Sequence, residues 1–313
     1  MKENKIYSFL IRNIAVITLL LLVIFNSLFT NNFLSMNTFV NLMMQTTKIV
    51  LLGMGMTLII ATGGIDISVG SAMSLAAVIS AIPLVAGNYY GLILSLVVMI
   101  LVGIVSGVLV SKFKVLPMVV TLAMFYILRG SAKGISGRGT ITYSLPRLTV
   151  IFTEPLGGVL PIHFFIMLFA VIIMYFVVNK TIFGMEVELL GNNPDASTIC
   201  GIHTTRIIVM CYAISMFFAW GAGLLDMFVV SSADPSKIGL DIEIDAIAAT
   251  LIGGTSITGG YPNVVGTVCG AFILQIITMM CNMLNIPFSI ALMIKAGLII
   301  GALYLHAVAN RDN

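Results

Sequence analysis

The chain has 313 residues, of which 59% are hydrophobic and only 9% are charged, and its formal net charge is +3 at pH 7. A soluble domain carries about 25% charged residues, so this composition excludes an ordinary soluble enzyme and indicates a protein whose solvent is lipid. The small net charge gives no reason to expect nucleic acid as a partner.

The apolar stretches of the chain predict its membrane helices, because a span needs roughly 20 apolar residues. The first stretch follows the polar MKENK and has no small-residue cleavage site after it, so we interpret it as an uncleaved span rather than a signal peptide. We predict an all-α, polytopic membrane protein, a single transmembrane domain over 1–313, with eight to ten spans. The ten candidates cover residues 14–29, 39–62, 69–86, 91–110, 115–130, 163–178, 207–230, 246–260, 264–284 and 290–308.

The basic residues between the spans predict the orientation, since Lys and Arg accumulate on the cytoplasmic side. With both termini in the cytoplasm, eight basic residues fall inside or near the inner edge, namely Lys2, Lys5, Arg12, Lys112, Lys114, Lys180, Arg206 and Arg311. Five fall outside, namely Arg129, Lys133, Arg138, Arg147 and Lys237. The opposite orientation would place two lysines in a very short outer turn, so we expect both termini to be cytoplasmic.

The stretch IIATGGIDISVGS at 59–71 interrupts an apolar run. Tandem glycine disfavours a helix by about 1 kcal/mol per residue, and an aspartate at the centre of a membrane helix costs roughly 3 kcal/mol. We predict that the helix breaks at Gly63–Gly64 and that Asp66 or Ser68 accepts the freed N–H groups of the helix that begins at Val69. The alternative is that Asp66 lines a polar path.

A second stretch, ATLIGGTSIT at 249–258, has the same form: an apolar run ends in Gly253–Gly254 and is followed by Thr255 and Ser256. It contains no charged residue, so an acid is not required for a break as such. Interrupted helices in corresponding positions of two halves are typical of transporters built from repeats. For the glycines alone, close packing between helices is an equally good interpretation.

Four other charged residues lie within or beside predicted spans. Lys48 and Arg129 are long enough to extend their charges toward a membrane interface. Asp226 and Lys295 either pair with each other or line the pore, and the sequence leaves both alternatives open. Four cysteines show no metal-ligand spacing, so we expect no metal and no disulfide.

The loop 179–206 contains a short helix with clear boundaries. Asn193 is a suitable N-cap and Pro194 suits the first turn, while Asp195 lies where the helix dipole favours negative charge. The helix is predicted over 194–200, with Gly201 as the residue that ends it. An ordinary surface helix and a docking helix are equally compatible with these signals.

Four segments in register resemble the ribose/galactoside-type permeases of bacterial ABC importers, a family that includes autoinducer-2 and galactofuranose permeases. GGIDISVGS at 63–71 is similar to the family's GGIDLSVGS, and VTLAMFYILRG at 120–130 also fits. DASxxxG at 195–201 resembles the EAAxxxG loop, and EIDAIAATLIGGTSITGG at 243–260 resembles ELDAIAAVVIGGTSLAGG. The turn at Tyr261-Pro262-Asn263 departs from the glycine-rich turn usual there.

The resemblance implies a permease subunit in the bacterial cytoplasmic membrane that forms a path for a monosaccharide such as ribose or a galactose-type sugar. It implies three partners: a second permease subunit, identical or paralogous, a cytoplasmic ATPase and an extracytoplasmic sugar-binding protein. The chain has no GxxxxGK[ST] loop, so ATP and its Mg²⁺ are expected in the ATPase, and we expect no catalysis and no cofactor here. Residues carried over to the ATPase contact are Asn193, Pro194, Asp195, Ala196, Ser197 and Gly201. Side chains expected along the path are Ser68, Ser71, Thr121, Gln275 and Asn282.

Two other classes of protein remain open at this stage. An ion-coupled secondary transporter of small polar solutes also uses broken helices and buried acids. An intramembrane aspartyl protease needs two converging aspartates, for which Asp66 and Asp226 are the available pair.

Overall fold

The structure is a computed structural model that describes residues 14–158 and 160–311, so the predicted cytoplasmic residues Lys2, Lys5 and Arg12 lie outside the described residues. Within those residues the chain forms thirteen helices and one short antiparallel strand pair. The helices are α1 (Ile14–Phe29), α2 (Met36–Ala61), α3 (Val69–Val85), α4 (Tyr90–Ser111), α5 (Pro117–Ile135), α6 (Pro146–Thr153), α7 (Ile162–Lys180), α8 (Ile182–Asn192), α9 (Pro194–Ile199), α10 (Thr204–Val230), α11 (Ile242–Ile252), α12 (Val264–Met283) and α13 (Phe288–Arg311). The strands are β1 (Ile141–Thr142) and β2 (Ser232–Ala233).

Six of these helices, α2, α4, α5, α7, α10 and α12, are long and apolar enough to cross a membrane. Three shorter apolar helices lie over 15–29, 69–85 and 289–301. With their lipid-like composition and no extended sheet among the described residues, these helices make the chain an all-α, multi-pass membrane protein.

The predicted span 246–260 is wrong in its second half. The helix there, α11, has 11 residues and ends at Ile252, because the backbone turns at Gly253–Gly254 and residues 253–263 are not helical. At 1.5 Å per residue, α11 is about 16 Å long, roughly half the thickness of the hydrocarbon layer.

The enclosed centre of the bundle is α2, whose residues 49–61 have almost no exposed surface. Small residues bring neighbouring backbones close to it: a Cβ added to Gly55 would lie 2.6 Å from the Ser215 Cα of α10. A Cβ on Gly53 would lie 2.7 Å from the Thr267 Cγ2 of α12. Such glycines permit tight helix packing in lipid, where burial of apolar surface drives no association.

The charges within the spans are paired inside the protein, in a pattern that differs from the predicted one. Lys48 on α2 contacts Asp226 on α10, with 2.6 Å between Nζ and Oδ1. Lys295 on α13 contacts Asp245 on α11, with 2.8 Å between Nζ and Oδ2. Of the two alternatives for Asp226 and Lys295, their pairing with each other is therefore wrong. Lys48 likewise does not extend toward an interface, because each charge has a partner on another helix.

Arg129 on α5 also lies against protein rather than reaching toward an interface. Its guanidinium donates to the backbone carbonyls of Pro235 at 3.0 Å, Ile238 at 2.6 Å and Gly239 at 2.7 Å. These carbonyls belong to the segment between α10 and α11, whose strand β2 pairs with β1. The arginine thus fixes that non-helical segment against the bundle, since its five donors match a cluster of carbonyl oxygens.

Candidate functional site

The first break begins where a glycine in the left-handed conformation ends α2. Gly63 has φ +81° and its N–H donates to the Ile60 carbonyl at 2.8 Å. The following N–H, that of Gly64, donates to the Ile59 carbonyl at 2.9 Å. Glycine adopts this conformation without steric cost, so Gly63 stops the helix. Gly64 serves close packing, since a Cβ there would lie 3.3 Å from the Tyr212 hydroxyl.

Asp66 holds the turn that leads into α3. Its Oδ1 accepts from the Ser68 N–H at 2.9 Å and from the Ser68 hydroxyl at 2.6 Å, and both residues are fully buried. The predicted capping of α3 is wrong in its detail: the Ser68 side chain makes no capping bond to α3, and Asp66 accepts from Ser68, the residue before the helix, rather than from an N–H of α3 itself. The second oxygen of Asp66, Oδ2, has no hydrogen-bond partner among the described residues.

A neighbouring helix also contacts the first break. The Thr121 hydroxyl of α5 donates to the Ile65 carbonyl at 3.1 Å. A carbonyl outside a helix has lost its ladder partner and needs another donor when it is away from water. The first break is therefore satisfied partly by its own aspartate and partly by α5.

The second break starts with the same type of cap, displaced by one residue within the glycine pair. Gly254, the second glycine, has φ +90° and donates its N–H to the Leu251 carbonyl at 3.0 Å. The Thr255 N–H donates to the Thr250 carbonyl at 3.2 Å. Gly253 serves close packing, because a Cβ there would overlap the backbone of Gly266 in α12.

Asn263 closes the second break. Its Nδ2 donates to the Gly253 carbonyl at 2.8 Å, and its Oδ1 accepts from the Gly266 N–H at 2.9 Å. Its own N–H donates to the Thr255 hydroxyl oxygen at 3.1 Å. Ser256 lies nearer the surface and shares a hydrogen bond with Thr258. A neutral amide within the loop thus does here what a buried acid and a neighbouring helix do in the first break.

Both breaks meet at the end of α8. The Gly260 N–H donates to the Ala61 carbonyl at 2.9 Å, which joins the second break to the last residue of α2. Gly191 lies against this bond: a Cβ at position 191 would overlap both the Ala61 carbonyl oxygen and the Gly260 nitrogen. Likewise, a Cβ on Gly259 would lie 2.7 Å from the Gly191 carbonyl oxygen. We call the four residues Ala61, Gly191, Gly259 and Gly260 the glycine junction.

The segment 181–201, here called the arm, contains α8 and α9. Asn193 is the C-cap of α8 and the N-cap of α9, and its Oδ1 accepts from the Ala196 N–H at 2.9 Å. Gly201 has φ +83° and follows the end of α9. The helix predicted over 194–200 is confirmed as Pro194–Ile199, with Pro194 first and Asp195 in the first turn.

The outward side of α9 carries few contacts with the rest of the chain. Asp195 and Ala196 are exposed, and Ile199 is 87% exposed. Ser197 is buried, and its hydroxyl donates to the Asn193 carbonyl at 2.8 Å. Of the residues expected to contact an ATPase, Ser197 therefore stabilises the helix from within, and the others are accessible.

The side chains expected along a path are divided between two regions. Ser71 and Thr121 are fully buried near the first break. Gln275 and Asn282 lie seven residues apart on α12, hence on one face, and Asn282 is exposed. The two most pronounced cavities of the described residues lie elsewhere, beside α8 and beside α6. Neither of these two cavities is lined by the four residues.

The aspartates of the protease hypothesis have separate partners. Asp66 binds Ser68, and Asp226 binds Lys48. A shared-proton aspartate dyad requires the two carboxyl groups to face each other. Here each carboxyl group binds a different side chain, so this geometry does not support the protease hypothesis.

Sequence reasoning missed two residues of this site. Asn263 precedes the apolar run VVGTV, which is an N-cap signal, but the sequence singles it out only as a departure from a family turn. Gly191 has no such signal, because its neighbours in space come from two distant segments of the chain. Contacts of that kind follow from the fold and not from local sequence.

Comparison with known families and structures gives one family match. Residues 38–303 match the family described as "Branched-chain amino acid transport system / permease component". No solved structure matches the chain significantly.

Curated relatives cover most of the chain. The ribose import permease protein RbsC of Haemophilus influenzae is 32% identical over 303 residues, which is 95% of this chain and 94% of the relative. The fructose import permease protein FruF of Bifidobacterium longum is 35% identical over 84% of this chain and 78% of its own length. The galactofuranose transporter permease protein YtfT of Escherichia coli is 35% identical over 75% of this chain and 70% of its own length.

Proposed function

This chain belongs to the permease-component family that its residues 38–303 match, and from that premise we propose that it is the membrane-spanning subunit of an ATP-driven sugar importer. The observation that carries the proposal is the set of relatives that cover between 75% and 95% of this chain and are named as permease proteins for ribose import, fructose import and galactofuranose transport. The substrate proposed is a monosaccharide of this kind, such as ribose or a galactose-type sugar.

The relatives support one of the two transport hypotheses left open by the sequence. The family description mentions branched-chain amino acids, yet these three relatives carry the names of sugar permeases. The GGIDISVGS stretch at 63–71 also resembles the GGIDLSVGS stretch of the ribose/galactoside-type permeases. We therefore prefer an ATP-driven sugar importer to an ion-coupled carrier. Hydrolysis of ATP is assigned to a separate subunit.

The arm supports a contact with that ATPase. It contains a six-residue helix with a short, capped connection to α8, and it exposes Asp195, Ala196 and Ile199. Because the helix is capped at both ends by Asn193 and Gly201, it is preformed, which lowers the entropic cost of binding. We propose that α9 inserts into a groove of the ATPase and that a second permease subunit does the same on the other side.

The proposed topology has ten membrane helices, with α11 as a half-length member, and both termini in the cytoplasm. The end of α4 packs against the start of α10, where a Cβ on Gly107 would lie 2.6 Å from the Val209 Cα. The exposed residues Lys112 and Arg206 therefore lie at one end of the bundle, the end from which the arm extends. The basic residues Lys112 and Arg206 at this end support a cytoplasmic position.

The same proposal assigns the two breaks to corresponding places in two halves of the permease, because α2 and α11 end in the same left-handed glycine cap. The subunit is placed in the bacterial inner membrane as a multi-pass protein. An extracytoplasmic sugar-binding protein delivers the sugar, so the path itself needs only weakly binding hydroxyl and amide groups.

The proposed function is tested by determining which energy source drives sugar uptake. The permease is reconstituted in vesicles with its ATPase and binding protein, and uptake of radiolabelled ribose, fructose and galactose is measured with and without internal ATP. We expect uptake of one sugar to require ATP and to persist with a protonophore. Uptake that persists without ATP and collapses with the protonophore would support the ion-coupled carrier instead.

Docking is tested separately by affinity capture of the ATPase. We expect an Asp195→Ala/Gly201→Ala variant to capture much less ATPase, because Gly201 has a left-handed conformation that alanine adopts poorly. Ser136→Ala, a substitution at a half-buried position between α5 and β1, is the control. Equal capture by both variants would contradict the docking assignment.

A further inference from the structure

We propose that the glycine junction carries movement of the arm to both helix breaks at once, and that the missing side chain at Gly191 is what makes this transmission efficient. The inference rests on the proposed function, since it assigns Gly191 as a positioning residue between ATP hydrolysis and sugar movement. Its basis is the convergence of three separate chain segments on one backbone hydrogen bond.

The contacts at the junction are made by backbone atoms. The bond from the Gly260 N–H to the Ala61 carbonyl is 2.9 Å long, and Gly191 covers it so closely that even a methyl group at this position would overlap both atoms. Side chains change rotamer under load, whereas a backbone in direct contact has no such freedom. A displacement of Gly191 is therefore passed directly to its two neighbours.

The arm behaves as one body up to the junction. Asn193 is the single residue between α8 and α9, and it caps both helices. The inner face of α8 is seated on the bundle through Gly184, Val187 and Leu190, all of which are buried. A force on α9 thus reaches Gly191 along a short helix rather than a flexible linker.

Each contact of the junction leads directly into a break. Ala61 is the last residue of α2 and is followed by the cap at Gly63 and the turn held by Asp66. Gly260 lies in the loop that Asn263 closes before α12 begins. Both non-helical segments can change their backbone angles at lower cost than a helix, so they are the places where movement is absorbed.

The first break is also fixed at its far end. A Cβ on Gly70 of α3 would lie 2.5 Å from the Gly239 carbonyl oxygen, and that same carbonyl accepts from Arg129 at 2.7 Å. The segment 61–70 therefore connects the arm to the non-helical segment between α10 and α11. Movement of Ala61 relative to that segment is therefore absorbed within residues 61–70.

The test measures sugar transported per ATP hydrolysed in the reconstituted importer. For Gly191→Ala we expect the ATPase to be captured normally and to hydrolyse ATP, while the ratio of sugar to ATP falls about ten-fold. Gly221→Ala is the matched control, since Gly221 also lies in a helix and a Cβ there has nothing within 4 Å. A wild-type ratio in Gly191→Ala would overturn the inference, while absence of ATP-driven uptake by the wild type would instead overturn the proposed function.

A cross-link provides a second measurement that does not depend on the folding of Gly191→Ala. Glu188 on α8 and Tyr261 in the second break line one cavity of about 160 Å³ beside the junction. In a Cys200→Ser background, cysteines replace both residues and are joined by a short bismaleimide. If the junction moves as one unit, the cross-linked importer keeps its ratio of sugar to ATP. Loss of transport on cross-linking would show that α8 slides past the second break, which contradicts the inference.

Discussion

The two breaks end their helices with the same backbone cap and then stabilise the following turn in different ways. In the first break, the left-handed residue is Gly63 and the carboxylate of Asp66 holds the turn, with both Asp66 and Ser68 fully buried. In the second break, the left-handed residue is Gly254 and the amide of Asn263 closes a loop whose Ile257 is 47% exposed.

The comparison shows that the two glycines of each pair have different roles. In each pair one glycine supplies the left-handed conformation and the other permits a close approach, of Gly64 to Tyr212 and of Gly253 to Gly266. The order of the two roles is reversed between the breaks. The two turns also differ in the group that holds them: the fully buried first turn has a carboxyl group that accepts two hydrogen bonds from Ser68, and the partly buried second turn has an amide that both donates and accepts.

The largest expected effect concerns the ion pairs that anchor the helix before each break. Lys48→Met leaves Asp226 without its partner in a mostly buried position, and removal of one member of a buried pair costs about 3 to 5 kcal/mol. The free energy of unfolding in detergent measures this. Lys295→Met, which orphans Asp245 on α11, is the matched change on the other side of the comparison.

A double variant separates the pair from its single charges. In Lys48→Met/Asp226→Leu no orphaned charge remains, so most of the lost stability is expected to return. If the double variant is as unstable as the single one, the anchoring role of the pair is refuted.

An effect of similar size is expected within the first break. Asp66→Leu leaves the N–H and the hydroxyl of Ser68 without their acceptor, at about 1 to 3 kcal/mol for each buried group, so folding or assembly is lost. Asp66→Asn retains an acceptor oxygen and is expected to keep much of the transport. Membrane levels, ATPase capture and uptake are measured for both variants.

The two Asp66 variants also test whether the charge is functional. Complete loss of transport in both, with normal membrane levels and normal ATPase capture, would assign a role to the charge itself. The use of an acid in the first break and an amide in the second would then need a functional explanation.

The smallest effect is expected in the second break. Asn263→Ala removes the N-cap of α12 and the bond to Gly253, and loss of such a cap costs about 1 to 2 kcal/mol. Thermal unfolding in detergent measures the change, and Asn282→Ala, an exposed asparagine at the other end of the same helix, is the control. A loss as large as that of Asp66→Leu would remove the distinction between the breaks.

The sequence predicted the features that depend on local chemistry. Apolar runs located the helices, and Asn193, Pro194 and Gly201 located α9, because caps and composition act over a few residues. Both glycine pairs were recognised as breaks for the same reason.

The sequence did not predict features that depend on which segments meet in space. The partner of Asp226 is Lys48, which lies 178 residues away, and Arg129 binds carbonyls more than 100 residues away. The offset between the two glycine pairs was also missed, because the letters GG do not reveal which glycine adopts a positive φ. Such features arise from packing, which a single sequence encodes only indirectly.

The double role of Asn193 has a consequence for exchanging parts between relatives. Since this residue ends α8 and begins α9, the distance from Gly191 to Ile199 and the rotation of Ile199 about the helix axis are both fixed by the number of residues between them. One inserted residue would turn Ile199 by about 100° around the helix axis. Chimaeric importers that preserve this spacing should therefore keep their subunits in phase, and those that change it by one residue should assemble out of phase.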